Sequence, residues 1–307
     1  LDIASNDGTF LNFFNKKKYF RLGIDPAKNL KKISQNKGIK QLDKFFSEET
    51  SQEIKKKFGK FDIITANHVC AHVQNLNDFF NGVKNILNDN GLFVFEVSYR
   101  GSVLQKNTFD TIYHEHLDYH ALYPILKFLK KFKFNLLDYK ITEAQGGSLR
   151  VYVTNNKKRG KIKKIQRQLI KEKNSLKLYK KITYKNFKKK INKCKNQVQN
   201  ILKNLIKNKQ KISGYGAAAK TTTFLNYFGL SKKYGIKFVF DDNKLKQNLY
   251  IPGTLIKIRS PDHIKKIPID VMVIFAWNYS DVIIKKNKKF KNNGGKFLIP
   301  FPKPKIV

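Results

Sequence analysis

A chain of 307 residues is longer than one ordinary hydrophobic core serves, so two domains are expected. With 41% hydrophobic and 13% aromatic residues a mostly disordered chain is excluded, and the longest apolar run, Val271 to Trp277, is far short of the ~20 residues of a spanning helix, so no membrane segment is expected. The net charge of +41 invites a nucleic-acid partner, but the lysines are spread along the whole chain and accompany abundant Asn, Ile and Phe, as in translation of an A/T-rich genome; no specific nucleic acid is therefore expected.

Leu1-Asp2-Ile3 reads as the end of a strand already under way, without an initiator Met or signal segment, so further chain is expected before it. The strand leads into a tight turn, Ala4, Ser5, Asn6, Asp7 and Gly8, and a helix from near Thr9. Such a turn lets the backbone approach a ligand at a helix N-terminus. The next strand, Tyr19 to Ile24, ends in Asp25, placed to accept hydrogen bonds from ribose hydroxyls, or else to cap the following helix. A dinucleotide fingerprint would need three glycines and only Gly8 is present, so the adenosine-type ligand is read as the methyl donor S-adenosylmethionine. Asp2 and the Asn6-Asp7 pair suit the ammonium group of its amino acid.

Further strands are expected at Gly38 to Leu42, Phe61 to Ala66 and Gly91 to Val97, with Asn85 to Asn90 closing a helix into a turn before the last of these. Asn67-His68-Val69-Cys70-Ala71-His72 follows the fourth strand, where a doubly wound sheet opens its binding crevice. Asn67 and Val69 are assigned to the donor; His72 is either a catalytic group or a structural cap. Tyr113-His114-Glu115-His116 gathers two imidazoles, a carboxylate and a phenol, a set suited to proton abstraction near neutral pH. No metal site is expected there, because the i, i+4 histidine pair of a zinc helix is absent. Strands Phe134 to Tyr139 and Leu149 to Val153 look like a terminal hairpin.

The apolar spacing of Ile191, Val198, Ile201, Leu202 and Leu205 in a Lys-rich stretch predicts two helices over 156–210 as a connection. A second alternating unit follows, with strands Lys211 to Gly214, Lys237 to Asp241, Val271 to Phe275 and Gly295 to Ile299, and a helix Ala217 to Phe228. Its Gly214-Tyr215-Gly216-Ala217-Ala218-Ala219-Lys220 turn could cradle a pyrophosphate, with Lys220 as counter-charge, or serve a nicotinamide dinucleotide with Asp241 or Asp242. The fold class expected is α/β: a Rossmann-like methyltransferase domain (1–155), the helical connection and a smaller Rossmann-like domain (211–307). Cys70 and Cys194 stand far apart without a CxxC, which fits a reducing, cytoplasmic setting. The oligomeric state is left open.

In order, Ser-Asn-Asp-Gly (5–8), Gly-Ile-Asp-Pro (23–26), Asn-His-Val-Cys-Ala-His (67–72), Phe-Asp-Thr-Ile-Tyr-His-Glu-His (109–116), Gly-Gly-Ser-Leu-Arg (146–150), Gly-Tyr-Gly-Ala-Ala-Ala-Lys (214–220), Ile-Pro-Gly (251–253) and Ala-Trp-Asn (276–278) span nearly the whole chain. This series resembles the sugar C-methyltransferases that act on nucleotide-linked keto-deoxysugars. The resemblance implies that His116 removes the proton beside the sugar ketone, that Tyr113 and Glu115 position sugar and base, and that His72 assists at the enolate oxygen. It also implies a nucleotide-sugar site in the C-terminal domain, with Gly147, Ser148, Arg150, Tyr215, Gly216 and Lys220 as substrate contacts. Two features depart from the family: Ala4 stands where glycine is common, and the cysteine-rich N-terminal zinc module, with the tyrosine it brings to the sugar pocket, does not occur in these residues. The competing readings are an NAD(P)-dependent oxidoreductase using the second domain and an RNA-binding protein or RNA methyltransferase suggested by charge.

Overall fold

The computed structural model describes residues 1–156 and 160–307. The chain divides into two compact units, Leu1–Ser102 with Glu115–Tyr179, and Val103–His114 with Lys180–Val307. The 156–210 stretch read as a connection is shared between them at Tyr179, and residues 157–159 of it lie outside the described residues.

The first unit is built on a seven-stranded sheet. Its strands are β1 (Asp2–Ile3), β2 (Leu22–Ile24), β3 (Lys40–Leu42), β4 (Phe61–Asn67), β5 (Leu87–Ser98), β6 (Asn135–Thr142) and β7 (Ser148–Thr154), in the spatial order β3-β2-β1-β4-β5-β7-β6. The first five pair in parallel, and β7 runs antiparallel between β5 and β6. Helices α1 (Thr9–Asn12), α2 (Lys28–Asn36), α3 (Glu48–Phe58) and α4 (Leu76–Ile86) make the crossovers. Strand order reverses outward from β1 and β4, so their carboxyl ends open the crevice in which such sheets bind ligands.

Local chemistry sets these helices. Ser47 and Thr50 form a reciprocal capping box at the start of α3, whose first turn carries Glu48 and Glu49 and whose last carries Lys55, Lys56 and Lys57, matching the helix dipole at both ends. Asn75 caps α4, and its Phe79, Phe80, Val83 and Ile86 form the buried face. The helix ends at Ile86, within the Asn85 to Asn90 stretch where a helix end and turn are expected, but in place of the turn the strand begins at once at Leu87. That residue is fully buried and pairs with Phe61, a long-range contact that outweighs the local turn signal.

After α5 (Arg100–Lys106) and α6 (Leu122–Lys131), the helix α7 (Ile162–Ile170) passes into a π-helical turn, Lys171–Ser175. That turn buries Glu172 completely. Its carboxylate accepts the amides of Leu122 (2.8 Å) and Tyr123 (3.1 Å) at the start of α6, and the hydroxyls of Tyr99 (3.1 Å) and Tyr179 (2.8 Å). The π turn is therefore where this unit satisfies a helix N-terminus from a distance.

The second unit also has seven strands, β8 (Ile212–Tyr215), β9 (Ile236–Phe240), β10 (Tyr250–Ile251), β11 (Ile256–Arg259), β12 (Val271–Ile274), β13 (Lys296–Ile299) and β14 (Lys305–Ile306), ordered β10-β11-β9-β8-β12-β13-β14. The five inner strands are parallel; β10 and β14 are antiparallel edges. Along β12, Val271 and Val273 point into one core and Met272 and Ile274 into the other, as burial on both faces requires. The first core receives α8 (Lys181–Lys207) through Ile191, Val198 and Leu202, α9 (Ala219–Phe228) through Phe224, Leu225 and Phe228, and Phe109 from the 103–114 segment. No helix among the described residues is long and apolar enough to cross a membrane.

Candidate active site

In the first unit the turn after β1 is held against β2. The amides of Ala4 and Ser5 both donate to the Ile24 carbonyl (2.8 and 3.2 Å), and the Asn6 amide donates to Asp25 Oδ2 at 2.9 Å. Ala4 and Asn6 adopt left-handed backbone, φ 58° and 53°, which a glycine would take without strain. Gly8 has φ 75°, and a Cβ there would lie 2.5 Å from Ser34 Oγ, so glycine is required both by conformation and by space. Asp7 is fixed outside the turn by Lys37 (2.8 Å) and the Thr9 hydroxyl (2.8 Å), which hold its carboxyl down to about 2.

Asp25 also accepts the Ala27 amide at 2.9 Å through Oδ1, so each of its oxygens already carries one backbone bond. Asp25 thus ties the turn to the next helix, and each of its oxygens keeps a lone pair able to accept a further hydrogen bond. Deeper in the sheet, Asp2 is buried and accepts the Thr65 hydroxyl at 2.5 Å. Burial pushes its carboxyl up to about 6, against the opposing hydrogen bond from Thr65.

A cavity of about 530 Å³ opens at this crevice, lined by Ile3, Ala4, Asp25, Pro26, Phe45, Phe46, Val69, His72 and Phe79 among others. Its apolar walls suit an adenine ring, and Asp25 offers carboxylate acceptors. The Ser5 hydroxyl in the turn is buried without a hydrogen-bond partner. These features fit the adenosine and amino-acid ends of S-adenosylmethionine. Ala4, Asp25, Val69 and His72 line the cavity; Ser5, Asn6, Asp7, Gly8 and Asn67 shape the turns beside it.

The histidines of the two central motifs meet in this unit. His72 closes the short turn Cys70–His72, and the Leu117 amide donates to the Ala71 carbonyl at 2.8 Å, docking the Glu115–Leu117 segment on it. His72 Nδ1 lies 2.7 Å from the Glu115 carbonyl oxygen, which can only accept. Nδ1 therefore carries a proton, which leaves Nε2 as the ring atom that faces outward from this bond. The rings of His72 and His116 are 4.9 Å apart at 58°, and the Tyr119 hydroxyl stands 3.4 Å from His116 Nδ1. Tyr113 and His114 belong to the second unit, with ring centroids 6.5 Å apart, so the unit boundary divides the motif between His114 and Glu115.

Of the expected substrate contacts in the first unit, Ser148 is fully buried and donates to the Ala144 carbonyl at 2.9 Å, and Gly147 sits at φ 132° in the turn before it. Arg150 remains half-exposed, and its Nε donates to Glu96 at 2.6 Å. Glu96 is itself buried. It also accepts the Thr142 hydroxyl at 2.8 Å and lies 3.8 Å from His68 Nε2. Sequence reasoning passed over Glu96 as an anchor, since its pairing with Arg150 follows from the β5–β7 register, which a single sequence does not display.

In the second unit the turn after β8 repeats the same device. The Ala217 amide donates to Asp241 Oδ2 at 2.7 Å, and Asp241 Oδ1 accepts the Asn243 amide at 2.8 Å, as Asp25 does with Asn6 and Ala27. Gly216 has φ 92°, and a Cβ there would come within 2.6 Å of Ala276 Cβ. Tyr215 donates its hydroxyl to Asp242 at 2.9 Å, and Lys220 stands half-buried in the first turn of α9.

A family model described as C-methyltransferase C-terminal domain matches residues 143–302, and one described as methyltransferase domain matches residues 1–139. The chain is similar to the C-methyltransferase NovU of Streptomyces niveus, 28% identical over 307 residues that make up 100% of this chain and 73% of NovU. Among solved structures it is similar to a SAM-dependent methyltransferase from Anabaena variabilis (13% identity, TM-score 0.39, 50% of this chain and 75% of that one). It is likewise similar to the N-methyltransferase NodS from Bradyrhizobium japonicum (13% identity, TM-score 0.38, 51% and 84%). At that level the two structural likenesses bear on neither ligand nor reaction.

Proposed function

The chain belongs to the C-methyltransferase family and takes its methyl group from S-adenosylmethionine; on that premise we propose that it methylates a carbon of a nucleotide-diphosphate-linked keto-deoxysugar through a base-generated enolate. The observation that carries the reading is the His72–His116 pair, two imidazoles 4.9 Å apart, with His72 on the wall of the cavity that Ala4, Asp25 and Val69 also line. Carbon is a poor nucleophile until a proton leaves it, so C-methylation demands a base where O- or N-methylation can rely on positioning.

Ala4, Ser5, Asn6, Asp7, Gly8, Asp25, Asn67 and Val69 would hold the donor, which when bound supplies an electrophilic methyl group. His116 takes the proton from the carbon beside the ketone. His72, its Nδ1 proton committed to the Glu115 carbonyl, either stabilises the developing enolate oxygen in its protonated form or relays a proton through Nε2. Tyr113 and Glu115 position the sugar. Gly147, Ser148 and Arg150 act on the substrate from the first unit, Ser148 through its backbone because its hydroxyl is taken. Tyr215, Gly216 and Lys220 take the diphosphate in the second. The lysine-rich surface attracts such anionic substrates at long range without requiring a nucleic-acid partner. Two buried, unpaired cysteines accord with a cytoplasmic setting.

Incubation of the full-length protein with methyl-labelled donor and a nucleotide-linked keto-deoxysugar tests the reading. Label on a sugar carbon is expected, and label on oxygen or nitrogen refutes it. Replacing His116 with Asn should abolish transfer while donor affinity is retained; near-wild-type turnover in that variant would remove His116 from the base role.

A further inference from the structure

The segment that carries His116 is fastened in the first unit at two points. On one side the Leu117 amide donates to the Ala71 carbonyl at 2.8 Å. On the other, His120 pairs with Tyr99 in a parallel bridge, and the Arg100 amide donates to the His120 carbonyl at 2.8 Å. Two residues further on, Leu122 opens α6, whose N-cap residue Ala121 makes no side-chain cap. The cap is supplied instead by Glu172, 50 residues along the chain from Leu122.

Each oxygen of that carboxylate takes two donors. Oε1 accepts the Leu122 amide at 2.8 Å and the hydroxyl of Tyr99, the partner of His120, at 3.1 Å. Oε2 accepts the Tyr123 amide at 3.1 Å and the Tyr179 hydroxyl at 2.8 Å. Gln168 Nε2 donates to the Tyr99 hydroxyl at 2.6 Å, which leaves the hydroxyl proton for Glu172. Four donors on two oxygens are met in full only by a carboxylate, since an amide would turn its own N–H groups toward two of them. The negative charge also stands where the dipole of α6 favours it. A π turn is a rare insertion in a helix, and the one at Lys171–Ser175 delivers this fully buried side chain.

We propose that Glu172 is a positioning residue for His116: by holding Tyr99 and the start of α6 on one carboxylate oxygen, it fixes the far end of the Glu115–His120 segment and so the place of the base against the carbon it deprotonates. Glu172 has this part only if His116 is the base, as proposed above. Without the hold at the far end the segment pivots about Leu117, and a base displaced by about 1 Å from its carbon loses on the order of a hundredfold in rate.

Exchange of solvent deuterium into thymidine-diphosphate-4-keto-6-deoxyglucose, with S-adenosylhomocysteine in place of the donor, reads proton abstraction apart from methyl transfer. Mass spectrometry follows the deuterium entering beside the ketone. The full-length protein should catalyse this exchange and His116→Asn should not. Glu172→Gln should slow the maximal exchange about tenfold to a hundredfold at an unchanged half-saturating concentration of the sugar nucleotide. Rates are counted per folded chain from the stoichiometry of S-adenosylmethionine binding in calorimetry, and donor affinity should match the wild type. Tyr179→Phe removes a hydroxyl from Oε2 and leaves Oε1 untouched, so it should lose stability and keep the wild-type exchange rate. Wild-type exchange in Glu172→Gln, or a Tyr179→Phe slowed as much as Glu172→Gln, overturns the role of Glu172 and leaves His116 as the base. Exchange that persists in His116→Asn, or is missing from the wild type, overturns both. If Glu172→Gln does not fold, Tyr99→Phe, which keeps the ring but frees it from Oε1, should slow exchange about tenfold with donor binding intact, and an unchanged rate overturns the proposal.

Discussion

Replacing Asp2 with Asn should make the protein more stable and a poorer enzyme. Asp2 is 3% exposed, and burial raises its carboxyl from the ordinary 3.8 to about 6. Between those values the folded chain holds a proton that the unfolded chain has released, so the free energy of unfolding declines as pH rises through the window. The gap corresponds to roughly 3 kcal/mol of strain carried in full at neutral pH. Asparagine keeps an acceptor for the Thr65 hydroxyl, bonded at 2.5 Å, and carries no charge. In urea denaturation of the two proteins, the variant should exceed the wild type by up to about 3 kcal/mol at neutral pH, and the curves should converge near pH 4. On the reading that Asp2 faces the ammonium group of the donor, affinity for S-adenosylmethionine should fall in the same samples, because that negative charge is gone. A stability difference that is constant with pH, or a variant less stable at neutral pH, would refute the reasoning.

Two further outcomes follow from burial and backbone geometry. Glu172→Ala strands two helix amides and two tyrosine hydroxyls, and chemical denaturation should show a loss of about 3 kcal/mol or more, with Glu172→Gln losing less. Gly216→Ala must place a Cβ 2.6 Å from Ala276 Cβ at φ 92°, so it should lower stability by about 1–3 kcal/mol and weaken nucleotide-sugar binding in calorimetry without changing donor affinity.

The elements legible in the sequence are those whose signal is local. Parallel strands such as Phe61–Asn67 and Val271–Ile274 are short apolar runs, and the turns around Gly8 and Gly216 announce themselves by small residues after a strand. Edge strands two residues long, Tyr250–Ile251 and Lys305–Ile306, leave no periodicity to find. The site divides in the same way. His72, His116, Asp25 and Lys220 lie in compact motifs. Glu96 acquires its place only through the register that sets it opposite Arg150, far along the chain. The assignment of residues 103–114 to the second unit was illegible for the same reason: Phe109 is apolar in any context, and what selects its core is a set of aromatic rings contributed by distant residues.

That excursion has a consequence for how the protein is made. The chain passes from one unit to the other after Ser102, returns after His114 and leaves again after Tyr179, so neither unit is a continuous stretch that a ribosome could deliver finished before starting the next. Phe109 emerges early, while Phe224, Phe228 and Phe301, which enclose it, are synthesised last. Until then the segment joined to Glu115 and His116 carries an unsheltered aromatic ring, and a nascent chain halted before α9 has no place to put it. Completion of the C-terminal sheet is thus the event that buries the root of the Glu115–His116 segment, and a premature stop there is expected to yield an aggregation-prone fragment in place of a folded first half.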